Sequence, residues 1–184
     1  MTFVLAILPL VLAGASQSSV ADRRCEAAAA YVATVLDGKW KTPAVFTTAP
    51  IGVSDPLPAH PRWFDSKTGK RGAVPTAALM VRVAREREAS AVASCARIRS
   101  MLTARHVAFG GAAELADPTT NGEDPNEWQE VGVSLPIVSA DGAEAVLVCS
   151  VVAGPGAASL RLLYLRRSGS AQWRVVSEAL LLLA

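Results

Sequence analysis

The sequence predicts an α+β fold, with N-terminal helices packed on a C-terminal four-stranded antiparallel meander and a long irregular Pro-rich segment between them. Three observations carry that expectation. An apolar period of about 3.6 residues runs through Asp22–Leu36 and again through Ala91–Arg105. From Val131 onward the period switches to two, in runs separated by Gly-, Asp- and Ser-rich turns. Residues 39–75 follow neither rhythm and hold more than half of the 11 prolines. With 184 residues the chain can bury one sizeable core, so a single α+β domain is expected over 16–184. A hydrophobic fraction of 51% excludes a disordered chain. Eighteen basic residues against sixteen acidic ones leave a formal charge of +2, without the basic excess of a nucleic-acid binder.

The elements follow in order. Residues 1–12 form an uncharged apolar run, and Ala13-Gly14-Ala15 supplies the small-x-small pattern read by signal peptidase. A signal peptide over 1–15 is therefore expected, with Ser19-Val20-Ala21 as a second cleavage point. The run falls short of the ~20 residues that a membrane-spanning helix needs. No later segment reaches that length, so the mature chain is expected to be exported, periplasmic or secreted, without a transmembrane segment.

Asp22 is placed to cap the first helix, whose apolar face is Cys25, Ala28, Ala29, Val32 and Leu36. Segment 39–75 is long for a loop inside a compact domain, so it either wraps the core or contributes to function. In Thr76–Arg87 a weak apolar face uses Ala78, Val81, Val83 and Ala84. Ser94 is placed to cap a following helix lined by Cys95, Ile98, Met101 and Leu102, with a break in Ser90–Ser94. Glu114–Glu130 carries six carboxylates and no basic residue and reads as a polar loop.

The meander is expected over 131–184. Val131, Val133, Leu135 and Ile137 share one face, and Pro136 demands an edge or a bulge because it cannot donate to a ladder. Ser139-Ala140-Asp141-Gly142 is a hairpin turn. Ala143–Val152 is apolar on both faces, which suits a central strand. Ser159–Arg166 and Trp173–Leu183 complete the set, after turns at Gly154-Pro155-Gly156 and Ser168-Gly169-Ser170.

The stretch Ser134-Leu135-Pro136-Ile137-Val138-Ser139-Ala140-Asp141-Gly142-Ala143-Glu144-Ala145 resembles the S-x-P-V-x-S-x-D-G-x-x-A segment of uncharacterised exported bacterial proteins. Their G-x-W-x-V finish is similar to Trp173-Arg174-Val175-Val176 here. The resemblance covers roughly a quarter of the chain and rests on hairpin chemistry. It departs at Gly154-Pro155-Gly156, where the relatives often carry a cysteine pair. It implies an exported α+β domain and transfers no catalytic residue.

Three cysteines lie beyond the leader. Cys25 and Cys95 both fall on apolar helix faces that must pack on one sheet, which predicts a Cys25–Cys95 disulfide with Cys149 buried and unpaired. The alternative is three free thiols. There is no C-x-x-C, and His60 and His106 are isolated, so neither a redox motif nor a zinc site is expected. No nucleophile elbow, H-E-x-x-H helix or phosphate loop occurs, and no cofactor is implied. An EF-hand register starting at Asp117 fails at Thr119 and Trp128, where calcium ligands belong. His106, at a helix end, suits a capping cation. Arg82, Arg85, Arg87, Arg97, Arg99 and Arg105 read as the wet face of helices.

Trp63 and Trp128 stand in irregular segments, where tryptophans serve as ligand platforms or pack loops onto the core. They are the candidate binding residues. The sequence favours a non-catalytic binding or envelope-interaction protein, whose partner is a protein or an envelope ligand. The alternative is a hydrolase-like enzyme with a site formed by the 39–75 loop and the 114–130 acidic loop. A cleft uniting His60, Asp65 and a Ser or carboxylate would mark the second reading.

Overall fold

A computed structural model describes residues 19–38, 44–51, 57–58, 60–86, 89–111, 129–153, 157–168 and 172–183. The expected leader over 1–15, most of the acidic loop and the expected turn at Gly154–Gly156 lie outside the described residues. The fold is α+β: helices α1 (Val20–Asp37), α2 (Ala77–Val83), α3 (Ala91–Ser94) and α4 (Ala96–Ala104) pack on a mixed seven-stranded sheet. Its strands are β1 (Ala44–Thr47), β2 (Phe109–Gly110), β3 (Gln129–Val133), β4 (Ile137–Val138), β5 (Glu144–Ala153), β6 (Ala158–Ser168) and β7 (Gln172–Leu183).

The sheet differs from the expected four-stranded antiparallel meander. Its order is β2-β1-β3-β5-β6-β7, with β4 pairing β5 beside that path. β1 comes out of the Pro-rich segment and lies parallel to both β2 and β3. The pairs β3–β5, β4–β5, β5–β6 and β6–β7 are antiparallel. Segment 39–75 is thus not irregular throughout. The four residues of β1 join the sheet because Phe46 is fully buried in its core.

Pro136 acts as its chemistry demands. The β3–β5 ladder ends at Val133 opposite Cys149, and pairing on β5 resumes at Ile137, so Pro136 sits where no donor is needed. Ser134 fills the interruption: its backbone N–H donates to Val148 O at 2.9 Å, and its hydroxyl accepts from Val148 N at 2.8 Å.

Alternation along the strands divides the core between two faces. Ala145, Leu147 and Cys149 of β5 meet Leu163 and Leu165 of β6 under α1 and α4. Val146 and Val148 point the other way, with Leu162 and Tyr164, toward α2 and Trp63. Being apolar on both faces, β5 is the strand that can sit between neighbours with both sides covered.

Helix α1 begins one turn earlier than Asp22. Ser19 is the N-cap: its hydroxyl accepts from Asp22 N at 3.1 Å, and the Asp22 carboxylate accepts from Ser19 N at 3.0 Å. The Ser19 hydroxyl also donates to the Asp22 carboxylate at 2.7 Å, and this bond, with the one from Ser19 N, holds the carboxyl below its ordinary range. Val35, rather than Leu36, completes the buried face with Ala28, Ala29 and Val32. Ser94, expected to cap the helix that carries Ile98 and Leu102, is instead the last residue of the short α3, which Ser90 caps by accepting from Ala93 N; the N-cap of α4 is Cys95. The chain breaks at Cys95, which takes extended backbone between α3 and α4. Its sulfur caps nothing because it is bonded to Cys25, with a Cα–Cα separation of 5.6 Å. His106 closes α4 through its backbone, at φ 55°, with its N–H on Thr103 O at 3.1 Å.

Cys149 is buried and unpaired by any disulfide, and the Tyr31 hydroxyl donates to its sulfur at 3.0 Å. Burial pushes the thiol up to about 11 from an ordinary 9.0, with the Tyr31 bond a smaller opposing influence. Burial likewise raises Tyr164 to about 12, helped by its bond to the Glu144 carboxylate. In each case the neutral form is the folded form. Their stabilisation is fully present below the unfolded values and is lost as pH rises toward the folded ones. The melting temperature is therefore expected to fall from about pH 9 upward. Cys149→Ala is expected to flatten the first part of that fall, measured by thermal melts between pH 7 and 11. An unchanged profile would remove the thiol from the account.

Candidate functional site

The second face of the sheet carries the concavity. Residues 60–75 run over β7 and α2 as a strap, fastened to the sheet at three places and closed on itself at one. Phe64 exchanges both backbone bonds with Glu178 of β7, each at 2.8 Å. Gly72 N–H donates to Trp63 O at 2.9 Å, closing a small hairpin. The Ser177 hydroxyl donates to Ala73 O at 2.6 Å. Trp63 packs edge-on against Tyr164, ring centroids 6.1 Å apart at 68°.

Gly72 permits this closeness. A Cβ there would lie 2.6 Å from the Phe64 carbonyl carbon and 2.6 Å from Ser177 Cβ, and 2.8 Å from Asp65 N. Backbone cannot yield as a flexible side chain can. Gly72→Ala is expected to cost about 1–3 kcal/mol and to loosen the strap from β7. Urea unfolding reads the cost and amide exchange at Glu178 reads the loosening; a neutral substitution would mean the hairpin sits less tightly.

Between strap and helix lies a half-open cleft of about 950 Å³. Leu57, Pro58, Trp63, Phe64, Val74 and Pro75 line it ahead of α2, and Ala77, Met80 and Val81 line it from α2. Helix α2 buries Leu79 and Val83 in the core, whereas Val81 is 53% exposed toward the cleft. Of the apolar face expected from Ala78, Val81, Val83 and Ala84, only Val83 is buried: seven residues are too few for periodicity to fix a phase. Among the described residues the polar lining comes from His60, Arg62 and Arg71, with no carboxylate.

Asp65 is close in sequence and differently employed. Its carboxylate accepts from Lys67 N, Thr68 N and the Thr68 hydroxyl, at 2.9–3.1 Å, and holds the turn of the strap hairpin. Those bonds keep it below the ordinary carboxylate range. Glu144, 8% exposed beneath the strap, accepts from the Tyr164 hydroxyl at 2.5 Å and from Thr76 N at 3.4 Å. His60 thus reaches the cleft without Asp65 turning toward it.

Of the two candidate binding tryptophans, Trp63 is 5% exposed and forms a cleft wall from within the core rather than an open platform. Trp128 lies outside the described residues. The arginines have separate employments. Arg82 pairs with Glu86 at 3.2 Å and donates to Val138 O; Arg105 meets Asp37 at 2.6 Å; Arg99 donates to the carbonyls of Val92 and Ala93 at the end of α3. Arg87 lies outside the described residues. Arg62 and Arg71 are the cleft cations that sequence reading missed: Arg62 stands alone beside Trp63, and Arg71 follows Lys70 in the strap hairpin.

Among the described residues no group of three or more His, Cys, Asp or Glu is placed to hold a metal ion. No helix there is long and apolar enough to cross a membrane. The chain matches no protein-family model, no curated protein and no solved structure, so the cleft itself is the ground on which function is argued.

Proposed function

We propose that the chain is exported and acts as a non-catalytic binding protein, with the cleft between strap and α2 as its ligand surface. The observation that carries this reading is an apolar concavity of about 950 Å³, a size that suits a small ligand. The polar groups around it support binding rather than turnover. Asp65 is spent on its own turn, Glu144 on Tyr164 and Thr76, and Ser177 on Ala73 O. The Cys25–Cys95 bridge is in keeping with an oxidising compartment. The apolar leader pattern and the hairpin motifs shared with exported bacterial proteins add to that, and an envelope ligand is the natural class.

Two measurements test the reading. Intact mass of the exported protein should begin at Ser16 or Asp22; material retaining Met1 would refute export. Nile red, a neutral apolar dye, should bind the purified protein with enhanced emission, and Ala77→Trp, which fills the cleft from the exposed start of α2, should abolish the enhancement. Equal emission from the folded variant would place the dye elsewhere and remove the cleft as the site.

A further inference from the structure

We infer that the cleft takes a single-chain amphiphile with an anionic head, such as a fatty-acid carboxylate, the chain lying in the concavity and the head at Arg62 and Arg71. The inference rests on the binding reading above and adds the ligand's chemistry.

Charge complementarity carries it. Among the described residues the lining joins apolar walls to three nitrogen-bearing side chains, His60, Arg62 and Arg71, and contains no Asp or Glu. Arg62 and Arg71 are exposed, and neither has a hydrogen bond or ion pair among the described residues. This contrasts with Arg82, Arg105 and Arg161, each paired with a carboxylate within 3.2 Å. The same hairpin presents Lys67 and Lys70, while its one acid, Asp65, is turned into the backbone. A guanidinium gains most from a carboxylate or phosphate that it meets through paired N–H donors.

The shape selects a single chain over a membrane surface. A bilayer is met by protruding apolar side chains. Here the apolar surface is concave, and its largest member, Trp63, is recessed at 5% exposure. A neutral apolar ligand would leave both guanidinium groups without a partner at the rim, and a purely anionic one would leave the walls wet.

The test is displacement of Nile red from the full-length exported protein by sodium dodecanoate and by dodecan-1-ol, chains of equal length with and without a charge. Dodecanoate should bind at least about tenfold more tightly than the alcohol. The double variant Arg62→Gln/Arg71→Gln, changed only at exposed positions, should lose that advantage, its dodecanoate affinity falling to that for dodecan-1-ol. Equal affinity for acid and alcohol, or an unchanged advantage in the variant, would overturn the inference while dye binding keeps the cleft reading intact. Absence of dye binding would remove both. Saturable binding to phosphatidylglycerol vesicles that dodecanoate does not compete away would also overturn it, in favour of an anionic membrane surface.

Discussion

Trp63→Ala is expected to lose about 3–5 kcal/mol of stability and to dissolve the cleft wall along with it. The side chain is 5% exposed and belongs to the cluster of Leu79, Val83, Val146, Leu162 and Tyr164. Truncation removes the largest apolar group joining the strap to the sheet and leaves a void that α2 and Tyr164 cannot both close. The edge-on contact with Tyr164 goes as well, worth about 0.5–1.5 kcal/mol beyond the area lost. Phe64 is the internal control. It is the next residue and also lines the cleft, yet it is 38% exposed, so Phe64→Ala should cost distinctly less while still altering the lining. Urea denaturation of both variants reads the difference. Comparable small costs for the two would show that the strap is not docked through Trp63.

Replacing Cys25 and Cys95 together by serine is expected to cost about 2–5 kcal/mol. The bridge spans a sequence separation of 70, and releasing a loop of that length restores about 4 kcal/mol of denatured-chain entropy at 25 °C in the loop-closure account. The loss lands in one place. Cys25 ties α1 to the break between α3 and α4, and Cys95 is 1% exposed in the same core as Ile98 and Leu102. Peptide mapping without reductant should return the Cys25–Cys95 pair and a free Cys149. A bridge through Cys149, or a melting temperature indifferent to the double substitution, would contradict the assignment.

Much of this architecture was legible because long periodic runs speak for themselves. The period in Asp22–Leu36 places α1, and the doubly apolar run Ala143–Val152 places β5 between neighbours. What stayed hidden was short. Ala44-Val45-Phe46-Thr47 is too brief to stand out beside so many prolines, and Phe109-Gly110 carries no alternation at all. Their parallel pairing is decided by tertiary contacts, Phe46 above all. Phase errors have the same origin: a shift of a few residues exchanges Asp22 for Ser19 as cap and Leu36 for Val35 as buried residue. The cleft was half legible. Trp63 and His60 drew attention as residue types, but Arg62, Arg71 and Val81 become neighbours only when the strap crosses α2. No local pattern records that crossing.

The parallel seat of β1 also governs the order in which the molecule can assemble. Ala44 pairs with Gln129 and Phe46 with Phe109, so β1 finds no sheet neighbour until chain far downstream exists. The antiparallel pairs β5–β6 and β6–β7, by contrast, join strands only a few residues apart in sequence. Loop closure therefore favours the C-terminal half as the nucleus and makes the parallel edge the slow, late step. Pulsed hydrogen exchange should find amides of β5 and β6 protected before those of β1. Until that step the sheet margin offered by β3 stands open, and the refolding chain is most prone to aggregate there.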